Sequence, residues 1–253
     1  TTEIYTLSLH DALPISEFAA RFPVLTISSG PTNSMRGAAF LSGVRDGIVV
    51  DVGGTSTDVG ALVKGFPREA AVAVSIAGVR TNFRMPDVLS IPLGGGSVIQ
   101  ENPLRIGPDS VGYRLTEEGI VFGGGTLTGT DVAVAGGLAQ VGDSTLVQGL
   151  AHSFVEQASL EIQHRMETAI DQVKVSAMDV PVVLVGGGRI LAGSSLSGAS
   201  QVLRPEHGDV ANAIGAAIAQ VGGQVERVYS LESTSRQEDR KSTRLNSSHV
   251  LSS

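Results

Sequence analysis

The chain has 253 residues, 42% hydrophobic and 17% charged, with a formal net charge of −7, enough for one large domain or two small ones around a buried core. The acidic balance and the lack of a basic run exclude a nucleic-acid binder working by phosphate neutralisation. Zero cysteines exclude a disulfide framework, a thiolate nucleophile and a cysteine-ligated zinc, and they fit a cytoplasmic protein. No apolar run is long enough to cross a membrane as a helix, and 32 glycines with 4% aromatics suit an α/β protein rich in tight turns.

Both ends read differently from the middle. Residues 1–16, "TTEIYTLSLHDALPIS", and 238–253, "EDRKSTRLNSSHVLSS", resemble peptides translated from sequencing-adapter DNA. They are expected to be non-native segments around one domain at residues 17–237, and are set aside in fold reasoning together with His10 and His249.

Within that domain the first elements are a short strand at Val24–Ser28, a turn at Gly30-Pro31 and a helix over about Thr32–Ser42, started by Pro31 and stopped by Gly43. "GIVVDV" (Gly47–Val52) is a continuous apolar, β-branched run, as expected of a central strand buried on both faces. "TDVGALVKG" reads as its hairpin partner, and a third strand is expected at Ala70–Ile76. From Arg80 to Gly142 the pattern turns irregular, punctuated by "LGGGS" (Leu93–Ser97) and "FGGGTLTGTD" (Phe122–Asp131), and reads as an insertion of loops and short strands.

The four-residue recurrence of Leu146, Leu150, Phe154, Ala158, Ile162, Met166 and Ile170 predicts a helix over Ser144–Met178, with Asp143 or Ser144 as N-cap. "VPVVLVGGG" is a buried strand (Pro181–Val185) running into a triple-glycine turn. "LSGAS" predicts a short helix, "QVLRP" a strand, and "GDVANAIGAAIAQVG" a last helix capped by Asp209. Strand–turn–helix units in this order imply a mostly parallel sheet with helices on its faces.

The chemistry concentrates at Asp51–Asp58. Gly53 and Gly54 let backbone amides approach an anion, and Thr55, Ser56 and Thr57 add hydroxyl donors. Asp51 and Asp58 would repel phosphate unless a divalent cation intervenes, which is the combination a magnesium-nucleotide site needs. A tight turn between two buried strands explains the same glycines without a ligand. Gly186–Gly188 stand at the carboxyl end of a buried strand, where ligands bind in open α/β sheets; a packing turn is the plain alternative there too.

The order "SGPTNSMRGAAFLSG", "IVVDVGGTSTDVG", "VVLVGGGRI", "DVANAIGAAIA" resembles the second half of an actin-like ATPase. More narrowly, "DVGGTSTDV", "IPLGGGSVI" and "RIGPDSVG" resemble the hydantoinase A/oxoprolinase family, over about residues 22–230. The resemblance implies an α/β, ribonuclease-H-like half-domain: a mixed sheet with helices on both faces and a loop- and β-rich insertion at residues 80–142. It implies ATP and Mg2+ as cofactors. Asp51 would hold the metal and Asp58 orient water or metal. Gly53, Gly54, Thr55, Ser56 and Thr57 would grip the phosphates. Gly186, Gly187 and Gly188 would line the adenosine pocket, with Arg189 stacking on the base.

The activity implied is ATP-dependent opening of a cyclic amide, through phosphorylation of the amide oxygen and attack of water on the carbonyl carbon. The alternatives are the ATP-binding subunit of a ketone-carboxylase-like complex and a non-catalytic nucleotide-binding module. The implied partners are a cyclic amide or ketone and a second subunit or second copy, with no nucleic acid and no membrane.

The chain departs from the family in two places. Leu89 stands where members often carry histidine, while Asp87 is present, and "YRLTEEGIVFGGG" replaces a proline- and glycine-rich stretch. The first half-domain, with its own phosphate hairpin, is also missing, so the fragment alone is expected to be inactive.

Other residues read as structural. His152 and His164 lie twelve residues apart, outside ligand-pair spacing. His207 reads as a loop residue and Glu117-Glu118 as a solvated turn. Arg80 and Arg84 could meet a substrate carboxylate, against the plainer reading of a solvated loop.

Overall fold

The computed structural model describes residues 2–5, 19–21, 23–70, 75–76, 78–80, 85–219 and 223–226. It divides into two units, one from the segments Thr1–Ile15 and Gln220–Ser253, the other spanning Ser16–Ala219. In the first, β1 (Thr2–Tyr5) pairs antiparallel with a strand at Gly223–Glu226. Most of both expected adapter-like segments, with His10 and His249, lies outside the described residues.

In the second unit a 3-10 turn at Pro23–Thr26 stands where a strand was expected. A four-residue apolar run is too short for periodicity to separate the two. Helix α1 (Ser29–Ser42) follows, ended by Gly43 in the left-handed region, whose amide reaches the Ala39 carbonyl. Then come β2 (Gly47–Val52), β3 (Thr57–Val63), β4 (Phe66–Pro67), β5 (Ser75–Ile76) and β6 (Val79–Arg80). Of the strand expected at Ala70–Ile76, residues 71–74 lie outside the described residues and only Ser75–Ile76 is a strand.

The irregular stretch holds β7 (Val88–Ile91), β8 (Ser97–Gln100), β9 (Arg105–Ser110), the single turn α2 (Leu115–Glu118) and α3 (Gly129–Ala135). Helix α3 was not anticipated. Its start is a capping box: the Thr128 side chain accepts from the Asp131 amide, and the buried Asp131 carboxylate accepts from the Thr128 amide at 2.7 Å and the Val121 amide at 2.7 Å.

The long helix α4 runs His152–Val173 and starts eight residues later than the spacing predicts. Asp143 does cap, but it caps a 3-10 turn at Ser144–Val147 by accepting from the Thr145 amide. β10 (Val180–Val185) and β11 (Ala199–Leu203) follow, then α5 (Ala211–Ala217); the strand at Gly223–Glu226 is β12. "LSGAS" is not helical: Gly198 takes a left-handed φ of 80° and the chain passes straight into β11. Nor does Asp209 cap α5. The position before that helix is Val210, with no side-chain cap.

The main sheet has the order β11-β10-β2-β3-β4, with β7 also on β3. It is mixed. β11, β10 and β2 run parallel, whereas β3 is antiparallel to β2, β4 and β7, so the expected parallel order holds on one side and hairpins build the other.

Alternation along the central strands divides the core. Ile48, Val50, Val52, Val59 and Ala61 pack with Ile162, Met166 and Ile170 of α4. Val49, Leu62, Val183 and Val185 pack with Met35, Ala38 and Ala39 of α1 and Ala211 of α5. Helices therefore cover both faces. Gly37 and Gly215 set the α1–α5 crossing: a methyl on Gly215 would lie 1.8 Å from the Asn33 carbonyl oxygen.

Candidate functional site

Strands β2, β7 and β10 all point their carboxyl ends at one edge of the sheet, because β10 is parallel to β2 and both β2 and β7 oppose β3. Their following turns meet there. Gly53–Ser56 forms the hairpin tip, closed by the Gly53 amide on the Ser56 carbonyl at 2.9 Å. The Gly94–Gly96 loop lies under it, with the Gly95 amide on the Gly53 carbonyl at 3.0 Å and the Gly96 amide on the Gly54 carbonyl at 2.7 Å. The Gly186–Gly188 turn completes the cluster. A methyl added to Gly188 would stand 2.4 Å from the Gly53 carbonyl oxygen, and one on Gly95 3.9 Å from the Gly188 Cα.

Gly186 is required twice over. Its φ is 84°, in the left-handed region, and an added methyl would meet the Asp51 Oδ1 at 2.4 Å. The last residue of β10 pairs with Asp51 itself.

Asp51 and Asp58 face each other across the hairpin, on the sheet face that carries α1. Burial pushes the Asp51 carboxyl above its ordinary value, the buried Ser34 hydroxyl of α1 pulls it back, and the Asp58 charge adds to the rise. Ser90 on β7 donates a short hydrogen bond to Asp58 Oδ1. Among the described residues no ion pair reaches either aspartate. Nor do three or more His, Cys, Asp or Glu side chains cluster as a self-sufficient metal site. Two unneutralised carboxylates beside open amides fit a magnesium ion that takes its remaining ligands from water and phosphate.

The structure separates the hydroxyls that the sequence groups. Thr55 and Ser56 are exposed at the tip. Thr57 is 0% exposed and its Oγ1 donates to the Leu93 carbonyl at 2.6 Å. As the first residue of β3 it falls on the α4 face, so it fastens the Gly94–Gly96 loop and does not grip phosphate. Arg189 also differs from expectation. Its Nη1 is buried against Gly208 without a partner among the described residues, and its Nη2 lies 3.6 Å from Asp209. A guanidinium packed in that way is not laid open for stacking.

Four further polar side chains lie in the neighbourhood: Ser34, Ser97, Ser110 and Asn212. Ser97 accepts from the Gly94 amide at 2.8 Å; Ser110 lies 3.3 Å from the Gly54 carbonyl oxygen and 3.4 Å from Thr55 Oγ1. The "LGGGS" and "GPDSVG" stretches signalled Ser97 and Ser110; no local pattern marks Ser34 or Asn212.

The remaining candidates lie elsewhere. Asp87 pairs with Arg68 at 2.7 Å, and Leu89 packs in the α4-side core. Glu118 pairs with Arg114 at 3.0 Å across one helical turn. His164 borders a cavity of about 310 Å³ beside Pro92, Leu93 and Arg165 on the α4 face. His152 starts α4, and His207 holds a left-handed loop position with φ 60°. Arg84 and the side chain of Arg80 lie outside the described residues. Among the described residues no helix is long and apolar enough to cross a membrane.

No curated protein matches the chain in sequence. Among solved structures it aligns with nucleotide-free acetone carboxylase at TM-score 0.62 and 22% identity, over 77% of this chain and 32% of that one. The chain thus spans about a third of the length of that relative. A weaker alignment, at TM-score 0.38 and 12% identity, is to (R)-2-hydroxyglutaryl-CoA dehydratase component A of Acidaminococcus fermentans, over 74% of this chain and 65% of that one. Another, at TM-score 0.36 and 17% identity, is to the ethanolamine utilization protein EutJ of Carboxydothermus hydrogenoformans, over 73% and 53%. These last two scores are too low to bear on the fold. The first shows it: a mixed sheet between helices, the actin-like ATPase architecture. The family model described as hydantoinase/oxoprolinase matches residues 11–140, more than half of the chain and all of the hairpin, the Gly94–Gly96 loop and the Ser110 turn. The chain belongs to the hydantoinase/oxoprolinase family.

Proposed function

We propose that this chain is the ATP-binding portion of an ATP-dependent cyclic-amide hydrolase of the hydantoinase or 5-oxoprolinase kind, cytoplasmic, and inactive without the rest of its protein. The observation that supports this is the meeting of three glycine turns at one sheet edge, with Asp51 beside them. In this reading the Gly54 amide and the Thr55 and Ser56 hydroxyls donate to phosphate oxygens, while the Gly53 amide, expected to do the same, is spent on closing the tip against the Ser56 carbonyl. Asp51 holds Mg2+ through water, and Asp58, steadied by Ser90, orients a water molecule. Gly186–Gly188 line the nucleoside side and Arg189 forms the wall behind Gly208.

Magnesium supplies the positive charge that lets a triphosphate approach two carboxylates. The remaining contribution of the chain is positioning and electrostatics. The terminal phosphoryl group passes to the amide oxygen and ADP departs. Water then adds to the activated carbon and the C–N bond breaks, leaving an acyl phosphate on one side and the amine on the other; a second water cleaves the acyl phosphate to carboxylate and inorganic phosphate.

A second reading, the ATP-binding subunit of a ketone carboxylase with further subunits, is favoured by the alignment with acetone carboxylase. Turnover of ATP by the full-length enzyme separates the readings. Stimulation by hydantoin or 5-oxoproline, abolished in Asp51→Asn, is expected for the first. Dependence on ketone plus bicarbonate selects the second. Nucleotide binding with neither stimulation overturns both in favour of a non-catalytic module.

A further inference from the structure

The Ser110 hydroxyl has one proton and two acceptors in reach. Its oxygen accepts from the Gly112 amide at 3.0 Å, and it lies 3.3 Å from the Gly54 carbonyl oxygen and 3.4 Å from Thr55 Oγ1. A settled O–H···O bond measures about 2.7–2.8 Å, so neither contact is drawn tight and the proton is shared out between the two. The Gly54 carbonyl already accepts the Gly96 amide at 2.7 Å. Thr55 Oγ1, exposed at the tip, has Ser110 as its one hydrogen-bond partner among the described residues. Backbone holds these groups in register. The Val111 amide reaches the Gly96 carbonyl at 2.9 Å, and a methyl on Gly96 would stand 3.0 Å from both the Gly54 oxygen and Ser110 Oγ. The Ser110–Gly112 turn thus meets the tip at Gly54 and Thr55, whereas Gly188 meets it at Gly53.

We propose that Ser110 is a positioning residue for the Thr55 hydroxyl, fixing it as a donor to the terminal phosphate. The proposal rests on the nucleotide reading above. A hydroxyl in water accepts or donates indifferently; one supplied with a proton by Ser110 has its own proton left to give outward, to an anion. Hydrogen bonds in such a chain strengthen one another. As a phosphate oxygen accepts from Thr55, Thr55 Oγ1 becomes the better acceptor and draws the Ser110 hydrogen bond away from Gly54, whose carbonyl keeps the Gly96 amide. With the nucleoside at Gly186–Gly188, the phosphates run from Gly53 toward Thr55. The hydroxyl that Ser110 supplies therefore lies at the end furthest from the nucleoside, where a triphosphate has its transferable group and a diphosphate has none.

The test is calorimetric titration of the full-length protein, in Mg2+, with ADP and with a non-hydrolysable ATP analogue, for wild type, Ser110→Ala, Thr55→Val and the double variant. Ser110→Ala should bind the analogue about three- to tenfold more weakly, the worth of one hydrogen bond, and ADP within about twofold of wild type. Thr55→Val, which keeps the branched shape and loses the hydroxyl, should lose at least as much on the analogue. The double variant should match Thr55→Val within about twofold, because Ser110 acts only through Thr55. A serine that merely supports the turn would weaken both nucleotides alike. That outcome, or additive losses, overturns the positioning role while leaving the nucleotide site standing. A wild-type protein that binds neither nucleotide overturns the nucleotide reading and the role of Ser110 with it. Should Ser110→Ala fail to fold, Thr55→Val, a change at an exposed position, decides alone: unchanged affinity for the analogue, or an equal loss on ADP, overturns the role.

Discussion

Gly188 and Gly54 stand on adjacent turns of the same sheet edge, and they are glycines for different reasons. A methyl on Gly188 would press to 2.4 Å on the Gly53 carbonyl oxygen, and one on Gly94 to 2.6 Å on the Gly54 carbonyl carbon. Backbone does not yield that far, so the fold itself demands both. At Gly54 the nearest atom to an added methyl is 3.8 Å away, and at Gly187 nothing lies within 4 Å; neither has a left-handed φ. Packing has no use for these two glycines. What they keep clear is the space in front of the backbone of their own turns. A glycine that its neighbours do not need points to something that approaches from outside.

Three substitutions can break or sharpen that contrast. Gly188→Ala has the largest expected effect, a loss of about 3 kcal/mol or more of unfolding free energy, read as an earlier urea midpoint at unchanged slope. A wild-type midpoint would remove the contrast altogether. Gly54→Ala should stay within about 0.5 kcal/mol of wild type or gain slightly, since alanine restricts the unfolded chain. Its cost should appear in ADP affinity, at least about tenfold, or 1.4 kcal/mol; a folding defect like that of Gly188→Ala would show that the two glycines do the same job.

Asp51→Asn extends the contrast from glycine to charge. The folded-state pKa of Asp51 is raised, so the folded protein holds that proton more readily than the unfolded chain and the ionised form is the destabilised one. At neutral pH and without metal the variant should be the more stable, by on the order of 1 kcal/mol. The gap should close as pH falls through the raised folded value, above the ordinary 3.8. A gap that widens on acidification, in paired melts from pH 7 to 4, has the wrong sign for a burial penalty.

The strands that carry the edge were legible because β2 and β10 are apolar, β-branched runs buried on both faces, a pattern with few alternatives. The start of α4 was not. Leu146 and Leu150 extend the four-residue spacing back from α4, but Leu146 sits in a 3-10 turn, Ser144–Val147, whose own period of three is too close to tell apart over one turn. Thr57 was misassigned because it was read as part of a hydroxyl run, although being first in β3 decides its face. Asp209 looks like a cap, but the chain enters α5 through a 3-10 turn that leaves it beside Arg189. Ser34 and Asn212 are 178 residues apart and meet only through a helix crossing. The capping box at Thr128 and Asp131 was different. Its four-residue signature stood ahead of "VAVA" in plain view, masked by the glycines around it.

The stitching beneath the hairpin has a thermodynamic consequence. Thr57 Oγ1 on Leu93, the Gly95 amide on Gly53 and the Gly96 amide on Gly54 bind tip and loop into one laminate, which is rigid where a glycine-rich sequence suggests a flap. The Gly95 and Gly96 amides are spent on that stitching, and the entropy of fixing the tip, with its Gly54 amide, was lost when the sheet folded. An incoming anion would meet donors already aimed, and most of its binding energy would go to affinity and little to ordering the protein.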